Sequence, residues 1–558
     1  MPYGCKSFIS MNKRNSHPKV DNLLLAPIKS VVFLYLLLLN MVANLAYLLY
    51  GKGVFAIVSM VVLAAMTAYI ECGIYKLLRR KTIQIGWLML LVIIHNVLIV
   101  TDYFLLSQFH MVIGQDVVDI IAETNMVEIR NFIDAYMTWS SLTIWILSLL
   151  LLNLLIIWLS RLLIRLPYVW PAICCVITGF CIMTYCVCNF ALYRNGMAIP
   201  QYHSLTRLGY SLYIMDQRIH AIDELRDICR MVKATSVYDN KPTIVVVIGE
   251  SHSVCHSSLY GYKKNTNPLL QRRVEGESLY VYDNVVTTSC LTHAAMKSIF
   301  SLDSLNEGGK PLFPACFKAA GYKTALYDNQ YFVGSGVNFL ANKDLSEQLF
   351  DFRNSKRFQY DMDMIETINP HEKPSLYIIH LWGQHYSYGS RYPDSFRYFK
   401  ADDYDKDRWT EKQREIIANY DNATLYNDYV IDQIIRRFED KNCCLVYFSD
   451  HGEEIYEESN YMGHGNAEHS SGFEHQIRVP LLIWLSPTFS RPELKEKLFE
   501  SLHCPLMTDD VSHFLLDIAG IETAAFSPSR SFINNHYNFQ KPRIILHSID
   551  YDKKMKSL

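Results

Sequence analysis

Five long apolar stretches in the first 192 residues constrain the fold of this chain more than any other feature. They lie at residues 22–49, 54–78, 85–106, 140–164 and 168–192. Each approaches or exceeds the ~20 apolar residues that a helix needs to cross a bilayer. A cleaved signal peptide does not fit, because the first stretch is too long and four others follow it. We therefore predict a transmembrane domain of five helices at residues 1–192.

The positions of Lys and Arg in the short loops predict the orientation of these helices, because basic loops stay in the cytoplasm. Basic residues cluster in the N-terminal tail, after the second stretch and after the fourth: Lys6, Lys13, Arg14, Lys19, Arg79, Arg80, Lys81, Arg161 and Arg165. With five crossings from a cytoplasmic start, everything after about residue 193 lies outside. In a bacterium with an outer membrane, this predicts a multi-pass inner-membrane protein whose larger domain is in the periplasm.

The loop between the third and fourth stretches, residues 107–139, has a pattern of its own. Apolar residues alternate there with acidic ones: Val117, Ile120, Ile121, Met126, Val127, Ile129 and Phe132 with Asp116, Asp119, Glu123 and Glu128. This pattern predicts an amphipathic helix at the outer surface of the membrane. Such a helix supports the larger domain or contacts the substrate, and the two roles are compatible.

The rest of the chain has the composition of a globular domain. Residues 193–241 read as a polar linker with helical stretches, and the domain at residues 242–558 begins at Pro242. Apolar strand candidates recur at 243–248, 279–286, 322–327, 375–380, 444–448, 479–485 and 543–547, and helical stretches such as 416–438 lie between several of them. This alternation predicts an α/β fold with a mostly parallel sheet covered by helices on both faces. A formal net charge of −2 offers no basic surface for nucleic acid, so we expect no such partner.

Two short motifs come directly after two of these strand candidates. Gly249-Glu250-Ser251 follows the run at 244–248, and Ser449-Asp450-His451-Gly452-Glu453 follows the run at 444–448. Open α/β sheets place their chemistry at the carboxyl ends of the strands, where these side chains would converge. Glu, Asp and His together can hold a divalent metal, and zinc is the usual metal for mixed nitrogen and oxygen ligands.

A candidate nucleophile follows the strand candidate at 279–286. The residues from Thr292 onward suit a helix, which would put the Thr292 hydroxyl among free backbone N–H groups at its positive end. That setting stabilises an alkoxide and binds a phosphate. An ordinary capping role for Thr292 is an equally good interpretation, and Thr287, Thr288 and Ser289 are alternative nucleophiles.

Several motifs occur in one order along the chain: Gly249-Glu250-Ser251, the segments 256–262 and 283–286, Gly383-Gln384-His385, Arg391-Tyr392-Pro393, Tyr420-Asp421-Asn422-Ala423 and the segment 449–453. Together they resemble the bacterial phosphoethanolamine transferases of the sulfatase/alkaline-phosphatase superfamily, which modify lipid A, core sugars of lipopolysaccharide and periplasmic glucans. The resemblance includes five membrane spans before a periplasmic catalytic domain. The run 283–301 is most similar to the branch that modifies core sugars.

The resemblance implies a metal site and a nucleophile. Zinc is bound in this family by a glutamate, the nucleophilic threonine, an aspartate and a histidine, which fall on Glu250, Thr292, Asp450 and His451. One zinc is expected to be held tightly, a second is compatible with the pattern, and manganese is the alternative metal. Zinc would lower the pKa of the threonine hydroxyl and polarise a phosphoryl oxygen.

The resemblance also implies residues around the substrate. His385 and His464 correspond to family histidines that line the phosphate side and can hold a second zinc. Glu453 corresponds to a supporting carboxylate or general acid/base. In the loop at 107–139, Glu128 belongs to a pattern similar to one linked to donor binding, and Asn329 is a second candidate for that role.

The implied reaction is a two-step transfer. Thr292 would take phosphoethanolamine from phosphatidylethanolamine and pass it to lipopolysaccharide, either lipid A or a core sugar, and the enzyme would act among membrane lipids as a monomer. Three alternatives stay open. They are a phosphoglycerol transferase of the lipoteichoic-acid-synthase type, a membrane-bound phosphatase or sulfatase, and a non-catalytic sensor on the same scaffold.

Overall fold

A computed structural model describes most of the chain. The described residues are 30–50, 54–109, 111–123, 129–130, 132–133, 136–137, 139–165, 203–302, 309–330, 339–458, 460–465, 472–546 and 548–557. The chain divides into two compact units, one of Met1–Val118 with Phe132–Leu212 and the other of Asp119–Asn131 with Tyr213–Leu558.

The first unit contains the apolar helices. The N-terminal helices are α1 (Val31–Tyr50), α2 (Val54–Leu77), α3 (Lys81–Phe109), α4 (Gln115–Glu123), α5 (Trp139–Leu163) and α6 (Ser204–Arg230). Three of them are long and apolar enough to cross a membrane, within Met60–Leu77, Lys81–Phe109 and Trp139–Leu163, and a shorter apolar helix covers Val31–Ala46. Three of the predicted spans are therefore confirmed by length and composition. The fifth, at 168–192, lies outside the described residues.

Polar side chains inside the first unit bind one another. The His95 ring on α3 lies 2.7 Å from a carboxylate oxygen of Glu71 on α2, and Asn40 on α1 donates to the other Glu71 oxygen at 3.0 Å. Arg207 on α6 donates to Asp102 on α3 at 2.7 Å. All five side chains are buried. Because an unpaired polar group is costly in an apolar environment, these contacts explain how the bundle tolerates them.

The second unit is built on a seven-stranded sheet. Its strands are β1 (Thr243–Gly249), β2 (Leu279–Tyr282), β3 (Lys323–Asp328), β4 (Phe352–Arg353), β5 (Ser375–His380), β6 (Cys443–Ser449) and β7 (Leu481–Leu485). They lie in the order β2-β7-β6-β1-β5-β3-β4. β7 pairs antiparallel with both of its neighbours and the remaining pairs are parallel, so the sheet is mixed and six of its strands share one direction.

Helices cover both faces of this sheet. The helices of the second unit are α7 (Pro268–Glu275), α8 (Thr292–Phe300), α9 (Phe313–Ala319), α10 (Lys343–Leu349), α11 (Asp361–Ile365), α12 (Glu411–Arg437), α13 (Phe473–Ile477), α14 (Leu494–Glu500), α15 (Val511–Ile518) and α16 (Tyr551–Ser557), and α13 and α16 pack in a separate cluster beside the sheet cores. Successive residues of β1 point to opposite faces. Ile244, Val246 and Ile248 pack in the core that contains α8, whereas Val245 and Val247 pack in the core that contains α12. The predicted α/β arrangement with two covered faces is confirmed.

Some predicted elements have different limits in the structure. The strand predicted at 279–286 divides into β2 and a short strand, Val285–Val286, that pairs with Leu506–Met507, because Asp283 and Asn284 bind the chain at Leu502 and Leu506 instead. The strand predicted at 543–547 is only Ile544–Ile545, paired with Ile549–Asp550 outside the central sheet. Two further short pairs are Thr235–Ser236 with Ile521–Glu522 and Glu454–Ile455 with Met462–Gly463.

The helix predicted at 416–438 begins five residues earlier, as α12. Thr410 accepts a hydrogen bond from the Gln413 backbone N–H at 3.3 Å, and the Gln413 side chain accepts one from the Thr410 N–H at 2.9 Å. This reciprocal capping satisfies two N–H groups that would otherwise lack partners.

Candidate active site

Two neighbouring parallel strands place the acidic residues of the site. Glu250 follows β1 and Asp450 follows β6, and the register pairs Gly249 with Ser449 at the ends of these strands. The Asp450 N–H donates to the Gly249 carbonyl at 3.1 Å, which fixes the two loops against each other. The sequence predicted that these side chains converge at the carboxyl edge of the sheet, and the structure brings them together there.

Glu250, Asp450 and His451 form a cluster whose ligand atoms all lie within 4.8 Å of one another. The His451 Nε2 atom is 3.2 Å from Glu250 Oε1 and 3.3 Å from Asp450 Oδ2, and all three side chains are fully buried. His451 Nδ1 lies 2.8 Å from the Gly452 carbonyl, to which it donates. That hydrogen bond leaves Nε2 as the nitrogen that can ligate a metal.

The charges of this cluster fit a divalent cation. Burial and the Glu250 charge raise the pKa of Asp450 to about 7. Burial alone would lower the pKa of His451, but Asp450 and Glu250 outweigh it and hold that pKa well above its usual value. Within the described part of the chain, Asp450 Oδ2 accepts no hydrogen bond although it is buried. A buried carboxylate oxygen in this position, beside a second carboxylate and an imidazole, is the donor set expected of zinc.

The Thr292 side chain contacts this cluster from a third element, the helix α8. Thr292 is the first residue of α8, and its hydroxyl lies 3.4 Å from each carboxylate oxygen of Glu250 and 3.2 Å from His451 Nε2. Leu291 precedes it and provides no side-chain cap, so the first turn of α8 presents its backbone N–H groups without that competitor. The predicted set of Glu250, Thr292, Asp450 and His451 is therefore brought together in the structure.

The three alternative hydroxyls have other surroundings. Thr287 donates to the backbone carbonyl of Asp450 at 2.6 Å and is buried. Ser289 accepts from the Leu291 N–H at 3.1 Å, in a local turn. Thr288 Oγ1 is buried without a hydrogen-bond partner among the described residues. Of the four, Thr292 is the one whose hydroxyl contacts both Glu250 and His451.

His464 and Glu453 also lie beside His451. The His464 Nδ1 atom is 2.6 Å from Glu453 Oε2, and the His464 ring centroid is 4.1 Å from that of His451. Tyr388 donates to the other Glu453 oxygen at 2.6 Å. His451, Glu453 and His464 form a second group whose ligand atoms lie within 4.8 Å of one another. His464 is half-buried, so part of its ring is open to solvent.

His385 lies close enough for its charge to act on Glu250. Burial would raise the pKa of Glu250, but the charges of His451, His385 and His464 hold that pKa well below its usual value. The loop before His385 is fixed because the Gln384 N–H donates to the Glu250 carbonyl at 3.0 Å. Gly383 has a φ of +50°, and a Cβ there would lie 2.9 Å from Glu250 backbone atoms. Only glycine fits this close approach.

The two donor-binding candidates have different outcomes. Glu128 lies outside the described residues. Asn329 is buried, donates to Asp361 at 2.9 Å and accepts from the Phe358 N–H at 2.8 Å. Its amide therefore supports the loop in which it lies.

Sequence reasoning missed the next residue, Gln330, which donates to Glu250 Oε2 at 3.0 Å and to the Leu381 carbonyl at 2.7 Å. It also missed the contact between Tyr388 and Glu453. No local pattern identifies either residue, because each meets its partner only in the folded chain.

This chain is similar to several known proteins. The sulfatase family profile matches residues 242–521. The chain is 30% identical to phosphoethanolamine transferase EptC of Escherichia coli (strain K12), over 53% of this chain and 54% of the relative. It is 28% identical to the Kdo(2)-lipid A phosphoethanolamine 7''-transferase of Salmonella typhimurium, over 46% of this chain and 47% of the relative. The chain thus spans about half the length of the curated relatives it matches.

Two solved structures are similar to the described fold. The C-terminal periplasmic domain of EptC from Escherichia coli, in complex with Zn, has a TM-score of 0.50 and 27% identity, covering 57% of this chain and 96% of that one. The integral membrane lipooligosaccharide phosphoethanolamine transferase A from Neisseria meningitidis has a TM-score of 0.57 and 17% identity, covering 92% and 98%. The latter similarity concerns the fold alone. The family resemblance inferred from the motifs is confirmed.

Proposed function

The chain belongs to the sulfatase family, and we propose that it is a membrane-bound phosphoethanolamine transferase. One observation carries the proposal: the Thr292 hydroxyl lies 3.2 Å from His451 Nε2 and 3.4 Å from both oxygens of Glu250, at the first residue of a helix. An oxygen so placed beside a site for a cation is suited to attack phosphorus, because the cation and the helix N–H groups both stabilise negative charge. The names of the relatives support phosphoethanolamine as the transferred group.

Glu250, Asp450 and His451 would hold zinc, with Thr292 as the fourth ligand, and zinc would supply the positive charge that lowers the pKa of the Thr292 hydroxyl. The zinc in the related EptC structure supports this choice over manganese. Gln330 and the Gly452 carbonyl orient Glu250 and His451 through the hydrogen bonds described above. The cluster of His451, Glu453 and His464 offers a place for a second zinc or for the substrate phosphate.

The first step removes the phosphoethanolamine headgroup from the lipid donor. Thr292 Oγ, which has already lost its proton, forms a bond to the phosphorus of phosphatidylethanolamine, and the bond between phosphorus and the glycerol oxygen breaks. His464, held by Glu453 at 2.6 Å, gives that oxygen a proton as diacylglycerol leaves. Backbone N–H groups in the first turn of α8 receive the phosphoryl oxygens, which become more negative in the transition state.

The second step transfers the group to the acceptor. An oxygen of lipopolysaccharide, on lipid A or a core sugar, attacks phosphorus, and the bond to Thr292 breaks, which returns Thr292 Oγ to its deprotonated form. The His464–Glu453 pair takes the proton of a hydroxyl acceptor, which restores its starting state. The relative named for Kdo(2)-lipid A supports an acceptor of this class. We propose that the enzyme is a monomer in the inner membrane, with residues 242–558 in the periplasm. A donor that is itself a membrane lipid gives a physical reason to join apolar helices to a hydrolase-like domain.

The test uses the full-length protein in detergent with phosphatidylethanolamine labelled in its headgroup. We expect diacylglycerol release and a labelled protein that loses its label when lipopolysaccharide is added. Equal release of free phosphoethanolamine with and without acceptor would instead support a hydrolase. Label taken from the headgroup of phosphatidylglycerol would support a phosphoglycerol transferase.

A further inference from the structure

His256 is a buried histidine outside the metal cluster, and both of its ring nitrogens meet carboxylates. Nδ1 is 2.6 Å from an oxygen of Asp421, and Nε2 is 2.8 Å from an oxygen of Glu457. A ring that donates from both nitrogens is doubly protonated and positively charged. Burial alone would lower the pKa of His256, but Asp421 and Glu457 outweigh it and raise that pKa to about 10.

One of these partners is firmly anchored. Asp421 lies on α12 and is fully buried. Its second oxygen accepts hydrogen bonds from the hydroxyls of Tyr262, at 2.8 Å, and Tyr404, at 2.5 Å. Because both of its oxygens are hydrogen-bonded and its backbone lies inside a long helix, Asp421 provides a fixed point for His256.

The other partner lies in a hairpin at the active site. The strands Glu454–Ile455 and Met462–Gly463 pair antiparallel, with Gly463 opposite Glu454. Glu453 comes directly before this hairpin and His464 directly after it. The pairing of the hairpin strands therefore sets the separation of the Glu453 and His464 side chains, which are 2.6 Å apart beside His451.

The turn of this hairpin is strained. Tyr456 has a φ of +65°, a conformation that L-residues other than Asn and Asp rarely adopt. Strain of this kind persists where surrounding contacts hold the backbone. Glu457 is the next residue, and besides binding His256 it accepts from the Ile455 N–H at 2.5 Å. The Trp409 ring N–H donates to the Tyr456 carbonyl at 3.2 Å from a half-buried position.

We infer that His256 is a positioning residue, which ties the hairpin to α12 through Glu457 and thereby keeps Glu453 and His464 aligned beside His451. The inference rests on the roles proposed above for Glu453 and His464. His256 acts at a distance, since its ring nitrogens bind Asp421 and Glu457 and its ring packs on Tyr262 and Tyr420, and none of these four residues belongs to the metal cluster. The motif at 256–262 thus gains a physical role: it supplies both the charged ring and, at Tyr262, one of the hydroxyls that fix Asp421.

Neighbouring residues of the hairpin offer a matched pair of variants. Glu457→Gln removes the charge that His256 binds, whereas Glu458→Gln makes the same change one residue later. The Glu458 side chain is 58% exposed, and its contact with His475 is 3.8 Å long. His256→Gln is the second test variant, and it removes the other partner of the same ion pair.

Two measurements on the full-length protein in detergent decide the question. Hydrogen exchange reports the opening of the hairpin amides, and the ¹³C-histidine spectrum reports the surroundings of His464, whose signal is assigned by its loss in His464→Gln. For Glu457→Gln and His256→Gln we expect hairpin exchange to be faster by about tenfold, because breaking a buried ion pair is costly. We also expect a shifted His464 signal. Glu458→Gln should change neither.

Unchanged exchange in Glu457→Gln and His256→Gln would overturn the inference, as would equal effects in Glu458→Gln. Faster exchange with an unmoved His464 signal would also overturn it, because His256 would then stabilise the hairpin without positioning the site. Neither measurement needs a lipid donor or an acceptor. A failure of the proposed transfer reaction and a failure of this inference are therefore seen separately.

Discussion

Gln330 and Glu250 are eighty positions apart in the sequence, and the Gln330 amide donates to Glu250 Oε2 at 3.0 Å in the buried site. The same amide group donates to the Leu381 carbonyl at 2.7 Å, which fixes its position. With the Ser251 hydroxyl donating to Glu250 Oε1 at 3.0 Å, both oxygens of this carboxylate are oriented by the protein. Groups that orient a ligand in this way contribute strongly to metal affinity.

We expect Gln330→Met to weaken zinc binding by roughly tenfold to a hundredfold, the usual effect of losing such an orienting hydrogen bond. Methionine keeps the length of the side chain and removes its donor. A zinc titration of the full-length protein measures the change. Gln348→Met is the control, because Gln348 lies on α10 and its amide donates to the Arg226 carbonyl at 2.9 Å. Equal affinity in Gln330→Met and wild type would show that Gln330 does not orient the ligand.

Thr292→Ala should abolish turnover and the covalent adduct, with a loss of activity of at least about a thousandfold, because no other hydroxyl replaces a missing nucleophile. Thr292→Ser should keep partial activity, since it retains the oxygen and loses only the methyl group that restricts χ1. Thr288→Ala is the control and should keep most activity. Its hydroxyl makes no hydrogen bond among the described residues. Peptide mapping of the adduct checks the assignment, and phosphoethanolamine on Thr287, Thr288 or Ser289 would contradict it.

The core of the site could be predicted because it depends on chain direction alone. Glu250 and Asp450 each follow a buried apolar run, and parallel strands bring such positions to one edge of the sheet. The start of α8 at Thr292 followed from helix-forming residues after a strand. Predicting these three positions required no information about distant side chains.

The rest of the site depends on contacts that the sequence pattern does not contain. Gln330, Tyr388 and Glu457 meet their partners only after loops from separate elements have folded together. The break of the predicted strand at 279–286 has a similar origin, because Asp283 and Asn284 bind residues more than two hundred positions later. The periodicity of apolar residues describes one segment at a time. It cannot predict that a distant part of the chain will bind the backbone of a segment and end its strand.

A reporter that is active only after export tests the orientation of the membrane helices. Alkaline phosphatase needs disulfides that form outside the cytoplasm. Fused after Leu558 it should be active, because the basic loops place that end outside. Fused after Arg80, in the basic loop between α2 and α3, it should be inactive. The reverse pattern would contradict the orientation and remove the argument for access to a lipid donor.

The charge of His256 predicts how stability depends on pH. A histidine whose pKa rises on folding stabilises the fold fully below its unfolded pKa of about 6.5. That stabilisation is lost as the pH rises through its folded pKa of about 10. Asp421 and Glu457 bind the two ring nitrogens, and the rings of Tyr262 and Tyr420 pack against the imidazole. Between pH 7 and pH 9, the difference in unfolding free energy between wild type and His256→Gln should shrink by roughly 1.4 kcal/mol per pH unit.

Thermal or denaturant unfolding in detergent measures this difference. His503→Gln is the control, because His503 forms an exposed contact with Asp283 at 2.7 Å. Exposed pairs contribute little, so its effect should be small at every pH. A difference for His256→Gln that stays constant from pH 7 to pH 9 would mean that the His256 ring is uncharged in the folded protein.

The metal cluster predicts a conflict between function and stability. Glu250 and Asp450 are both fully buried, and in the zinc-free protein their two negative charges share the single positive charge of His451, so one negative charge stays uncompensated. Asp450→Asn should therefore lose zinc and activity yet raise the Tm of the zinc-free protein. A relief of ~1 kcal/mol shifts the Tm by roughly 2 °C in a domain of this size. Asparagine keeps Oδ1, which accepts from the backbone N–H groups of His451 at 2.7 Å and Ser251 at 3.2 Å.

Asp432→Asn is the matched control for this prediction. Asp432 is also buried, but it accepts from Arg273 at 2.6 Å and from Arg436 at 2.7 Å, so its charge is compensated by the protein itself. The same substitution should lower the Tm there, because it removes the negative charge that Arg273 and Arg436 both contact, and Arg273 keeps only a longer contact of 3.5 Å with Glu439. Scanning calorimetry in the presence of a chelator compares the two variants. A lower Tm for Asp450→Asn as well would show that the Asp450 charge stabilises the fold without a metal, and that the cluster is a structural ion-pair network instead of a site built to hold a cation.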